Sequence, residues 1–163
     1  MIHNDVLRRL RFALQLNDGA TIDIFKRVDY PMELEYLHGI MRKEEENGFI
    51  LCRDKIMCFF LDGLIIQRRG KKEGSQPRVM EPGEILSNNE VLRKIRIALD
   101  YKDDDMIDTL KYANFRISKG ELSALFRKVD HRSYKPCGDQ LLRNFLQGLV
   151  KKLRPDAKAA AHD

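Results

Sequence analysis

The stretch NDVLRRLRFAL at residues 4–14 returns as NEVLRKIRIAL at residues 89–99. Asn4 falls on Asn89, Val6 on Val91, Leu7 on Leu92, Arg8 on Arg93, Arg11 on Arg96, Ala13 on Ala98 and Leu14 on Leu99. The same shift, without a gap, carries Asp18 to Asp103, Asp23 to Asp108, Leu37 to Leu122 and Cys52 to Cys137. It ends by carrying Phe60-Leu61-x-Gly63-Leu64 onto Phe145-Leu146-x-Gly148-Leu149. About 20 of about 61 positions are identical, which makes the chain a tandem duplication.

Each copy carries helical rather than strand periodicity. In the second copy Leu92, Ile95 and Leu99 share one helical face, and Asn88 or Asn89 is placed to cap it. Asp103 opens a second helix with Met106, Ile107 and Leu110 on its apolar side. Ser118 and Glu121 form an S-x-x-E capping box before a third, whose stripe is Leu122, Leu125, Phe126 and Val129. A fourth starts near Asp139. In the first copy Asp18 opens the second helix, the third starts near Pro31, and Asp54 opens the fourth. The expected fold is therefore all-α, two tandem repeats of about four helices joined by a long basic linker. The expected divisions are 1–66 and 88–152 for the helical units, 67–87 for the linker, and 153–163 for a disordered tail. Ile65-Ile66 and Ile85-Leu86, at the linker's ends, are expected to dock.

The doubled start, the Ser/Glu-led third helix and the C-x-D-x-x-x-x-F-L-x-G-L end resemble the YehS-like family. That is a bacterial family of small duplicated proteins. The resemblance implies the duplicated architecture but no activity, cofactor or catalytic residue.

The chain has 163 residues, of which 43% are apolar and 34% charged, with a net charge of +5. That composition supports a folded core. No apolar run reaches the ~20 residues of a membrane span, and the N-terminus has no signal-peptide pattern, so a cytoplasmic protein without a membrane contact is expected. The spacing of Cys52, Cys58, Cys137 and the four histidines matches no zinc site, and no phosphate-binding or dinucleotide motif is present. Neither metal nor cofactor is expected.

The charge is divided unevenly. Residues 1–64 carry 9 cations and 11 anions, while residues 88–149 carry 12 cations and 9 anions. Arg68, Arg69, Lys71 and Lys72 in the linker, Lys119, Arg127 and Lys128 around the third helix, and Lys151 and Lys152 near the end are candidate polyanion contacts. The second and third helices of unit 2 have helix-turn-helix spacing, which would put Lys119, Arg127 and Lys128 on a groove-facing helix. A plain helical hairpin explains the same spacing.

Arg11 with Asp23, and Arg96 with Asp108, recur in both copies and are expected to form structural ion pairs between the first and second helices, or else Arg8 and Arg93 pair with the same aspartates. Cys52 and Cys137 are expected to be small buried residues at a helix start rather than nucleophiles. Gly63 and Gly148 sit inside an apolar run, which suggests a close helix contact or a helix end. Ile50, Leu51, Cys58 and Phe59 stand where the second copy has Lys135, Pro136, Arg143 and Asn144. This apolar surplus marks a candidate partner contact. The composition thus favours a non-catalytic binding or adaptor protein working through a protein partner or a homo-oligomer. A nucleic-acid-associated protein is the alternative, and an enzyme is the least supported class.

Overall fold

The computed structural model describes residues 1–71 and 79–157. It is helical throughout, with no strand among the described residues. Unit 1, residues 1–86, contains α1 (His3–Leu14), α2 (Asp18–Lys26), α3 (Leu34–Met41) and α4 (Asp54–Arg69). Unit 2, from Ser87 onward, contains α5 (Asn88–Leu99), α6 (Asp103–Tyr112), α7 (Lys119–Leu125) and α8 (Asp139–Leu153). No helix among the described residues is long and apolar enough to cross a membrane.

The two units are built by the same local devices. The first helix of each ends on a left-handed residue, Gln15 (φ 55) and Asp100 (φ 56). A second pair, Asp29 (φ 59) and Asn114 (φ 58), closes the turn after the second helix. Polar residues at these positions tolerate the left-handed region better than bulky ones. The second and fourth helices then meet at a glycine. A methyl group on Gly63 would run into the carbonyl oxygen of Ile24, and one on Gly148 into that of Thr109. The recurring glycine is thus a close-contact residue deep within the fourth helix. The cores contain Leu7, Leu10, Phe25, Leu37, Met57 and Phe60 in unit 1, and Leu92, Ile95, Leu110, Leu122, Phe145 and Leu149 in unit 2.

Asn4 and Asn89 are the polar centres of these cores. Asn4 Nδ2 donates to the carbonyls of Ile40 (2.9 Å) and Ile50 (2.8 Å), and its Oδ1 accepts from Cys52 N (2.9 Å). Asn89 Nδ2 donates to Leu125 O and Lys135 O, and its Oδ1 accepts from Cys137 N, all at 2.9 Å. Each fastens the end of the third helix and the loop before the fourth to the first. Asn89 therefore does not cap α5. Ser87 does, accepting from Glu90 N.

Several sequence expectations are corrected. Arg11 pairs with Asp18 (2.8 Å) and Arg96 with Asp103 (2.7 Å), not with Asp23 and Asp108. Each arginine Nε donates across the turn, to Leu16 O or Tyr101 O, which folds the guanidinium back onto the first residue of the next helix. A carboxylate there also meets the positive end of the helix. Asp23 instead pairs with Arg27 (3.5 Å) and Asp108 with Lys152 (3.4 Å). The third helix of unit 1 starts at Leu34, three residues after Pro31. The α7 capping box is present, Ser118 Oγ accepting from Glu121 N and Glu121 Oε1 from Ser118 N. But α7 stops at Leu125, so Arg127 and Lys128 lie beyond it and Val129 is 80% exposed. α4 continues to Arg69, and Met80 and Leu86 are buried while Ile85 is 75% exposed. Asp54 Oδ2 accepts from Leu86 N at 2.9 Å, tying the end of the connecting segment to the start of α4. Of the expected tail, 153–163, Leu153 is still the last residue of α8, and residues 158–163 lie outside the described residues.

Candidate functional site

Three exposed apolar residues of unit 1, Leu34, Ile50 and Leu51, lie on α3 or in the loop between it and α4, while Val79 and Ile85 are exposed on the connecting segment. Leu37, Gly39 and Ile40 face inward, which turns Leu34, Glu35 and His38 outward. The loop after α3 is fixed by its own hydrogen bonds. Lys43 N donates to Glu46 Oε1 (2.7 Å), Arg42 Nη1 to Gly48 O (3.1 Å), and Ile50 N to Gly39 O (3.0 Å). With Asn4 holding the Ile50 carbonyl, both backbone polar groups of Ile50 are satisfied inside the protein. Its side chain is nevertheless 39% exposed and lies against Gly39, where a methyl group would collide with it. Leu51 is 50% exposed and Leu34 48%. Three apolar side chains are thus presented to solvent on a rigid backbone, which lowers the entropy cost of ordering them in a complex.

The other two residues of the expected partner contact are corrected. Cys58 and Phe59 are buried. The Phe59 ring packs on Tyr30 with centroids 5.3 Å apart, and Phe25 packs on both Tyr30 and Phe60. Much of the apolar surplus of α4 is therefore an enlarged aromatic core of unit 1.

Leu51 also borders a cleft of about 650 Å³ whose walls include Ile2, Met80 and Pro82. Inside it His3 Nε2 lies 2.8 Å from Asp54 Oδ1. The sequence reading missed this pair. The signal for it was the duplication itself, since His3 falls on Asn88, and Asn88 Nδ2 donates to Asp139 Oδ1 at 2.8 Å in the same place in unit 2. The cleft supplies no activated nucleophile. The Cys52 thiol at its edge is pushed up to about 12 by burial and by the nearby Asp54 charge. Cys137 is pushed up to about 11 by burial and Asp139. Such thiols stay protonated at neutral pH. No group of three or more histidine, cysteine or acidic residues able to hold a metal occurs among the described residues.

The candidate polyanion contacts are scattered. Lys119, Arg127, Lys128 and Lys151 are exposed. Lys119 lies 3.5 Å from Asp104, and Arg127 lies 3.5 Å from His131 Nε2. Lys152 is not a free arm. It pairs with Asp108 and lies over the Tyr101 ring, 4.5 Å from its centroid. Arg68 and Arg69 stand exposed on the last turn of α4, where cations suit the negative helix end, and Lys71 follows them. Lys72 lies outside the described residues.

Comparison with known proteins agrees with this duplicated plan. The family described as "Protein of unknown function (DUF1456)" matches residues 3–70 and again 88–154. The chain is 39% identical over 152 residues to the uncharacterized protein YehS of Escherichia coli strain K12, covering 93% of this chain and 96% of that one. No solved structure matches. With both copies recognised separately and nearly the whole chain aligned, the protein belongs to the DUF1456 family, of which YehS is a relative.

Proposed function

We propose that this is a non-catalytic binding or adaptor protein whose principal contact surface is the α3 face of unit 1. The observation that carries this is the exposure of Ile50 and Leu51 on a backbone fixed from within by Asn4 and Gly39. Exposed apolar side chains cost little to a partner that covers them, and a preformed loop adds little ordering cost. The protonated thiols of Cys52 and Cys137 count against nucleophilic chemistry.

The test is capture of partners on the immobilised chain, wild type against Ile50→Asp/Leu51→Asp. A charge on a packed apolar contact is expected to cost at least about 2 kcal/mol, so retained proteins should fall more than tenfold. Circular dichroism checks that the variant folds, since Leu51 is half exposed but Ile50 also packs on Gly39. Equal retention by both chains would count against the reading.

A second reading rests on the exposed cations Lys119, Arg127 and Lys128, which would suit nucleic-acid phosphates. A gel shift at two salt concentrations tests it. Binding that does not appear even at low salt would remove it, since phosphate-driven affinity rises as salt falls.

A further inference from the structure

The duplication places two equivalent surfaces on one chain, and their charges are opposite. Residues 33–51 of unit 1 hold five glutamates against Arg42 and Lys43, a net charge of −3. The matching residues 118–136 of unit 2 hold five cations against Glu121 and Asp130, a net charge of +3. The difference arises position by position. Glu33 falls on Ser118, Leu34 on Lys119, Glu35 on Gly120, Glu44 on Val129, Asn47 on Arg132 and Ile50 on Lys135. All twelve of these residues are exposed.

Part of this charge is uncommitted within the fold. Among the described residues, Glu33, Glu35, Glu44 and Glu45 form no ion pair, and neither do Lys128 and Arg132, whereas Lys119 pairs with Asp104, Glu46 accepts from Lys43 N and Lys135 favours the Glu121 carboxylate. Each face has an apolar point beside its charges. In unit 1 these are Leu34, Ile50 and Leu51, and in unit 2 it is Val129. Opposite potentials around small apolar centres are the pattern of a specific, electrostatically steered contact.

We infer that the α3 face of unit 1 docks the α7 face of unit 2 of a second copy of this chain. This rests on the reading of unit 1 as a contact surface and names its occupant. The contact joins two unlike faces, so successive copies either close into a ring or extend as an open chain. Glu44 and Glu45 meet cations drawn from Arg127, Lys128 and Arg132, and Val129 meets the Ile50 and Leu51 side chains.

Light scattering and sedimentation of the full chain test this. Between about 0.1 M and about 1 M salt the screening length falls from about 10 Å to about 3 Å, and self-association should weaken roughly tenfold or more. Glu44→Lys/Glu45→Lys makes both faces positive, and Arg127→Glu/Lys128→Glu makes both negative. Each variant alone should be monomeric. Mixed in equal amounts they should associate, because every face of one then meets an opposite face of the other. All the substituted side chains are exposed, and unchanged circular dichroism shows that each variant folds.

A wild-type chain that stays monomeric at 0.1 M salt overturns the inference. So does self-association that neither variant weakens, or a mixture that stays monomeric. If the monomeric chain still loses a captured partner through Ile50→Asp/Leu51→Asp, the contact surface stands and only its occupant is wrong. A monomer that shifts DNA through Arg127 and Lys128 overturns the inference in favour of nucleic acid.

Discussion

Asn4 and Asn89 each make three hydrogen bonds in a place where an apolar side chain would make none. Removing either strands two carbonyls and an amide in the core. An unsatisfied buried group costs about 1–3 kcal/mol, so Asn4→Ala or Asn89→Ala should cost at least about 3 kcal/mol even with partial entry of water. The shift of the urea midpoint measures it. A loss below 1 kcal/mol would mean that the loops hold themselves. Gly63 and Gly148 give a test of opposite sign to the usual rule. Gly→Ala inside a helix normally gains up to about 1 kcal/mol of propensity. Here the added methyl meets the backbone carbonyl of Ile24 or Thr109, and overpacking of about 1–3 kcal/mol should win. Thermal melts of Gly63→Ala and Gly148→Ala should both fall.

The elements were largely legible because duplication and capping chemistry act locally. The fourth helices begin at Asp54 and Asp139, and α7 follows its Ser118–Glu121 box. What sequence spacing misjudged were partners chosen by turn geometry. Asp18 and Asp23 recur equally in the duplication, so spacing does not choose between them, and it is the bond of Arg11 to Leu16 O that aims it at Asp18. Phe59 read as surface because Tyr30, which covers it, arrives from a turn that no periodicity describes. His38 adds a consequence special to unit 1. Its bond to Asp18 Oδ2 (2.9 Å), joined by that of Arg11, holds the Asp18 carboxyl below its ordinary range. A depressed carboxylate contributes stability above its unfolded pKa, near 3.9, and loses it as pH falls through the lower folded value. His38→Ala should raise the Asp18 pKa back toward the ordinary range, read by NMR titration of its carboxyl carbon. Both side chains are nearly half exposed, so the stability change at neutral pH should stay under about 1 kcal/mol. Unit 2 has Ser123 at the position matching His38, so this bond has no histidine counterpart there.

At the scale of the whole molecule, the net charge of +5 conceals an acidic first copy and a basic second one, and the cores differ as the surfaces do. In unit 1 Phe25, Tyr30, Phe59 and Phe60 form one aromatic cluster. The matching positions of unit 2 are Leu110, Phe115, Asn144 and Phe145, so the cluster loses two rings. Burying Phe59 contributes about 2–3 kcal/mol, and its contact with Tyr30 about 1 kcal/mol more. The half-exposed Asn144 offers neither. Unit 1 should therefore be the more stable of two similar bundles, by roughly 3 kcal/mol on these terms. Native-state hydrogen exchange on the intact chain reads this directly, because each unit reports through its own helices. The slowest amides of α4 should exchange through openings about 3 kcal/mol costlier than those of α8, and Phe59→Asn should bring the two together. If α8 outlasts α4, or if both already exchange in one common opening, the aromatic cluster does not set the balance between the copies.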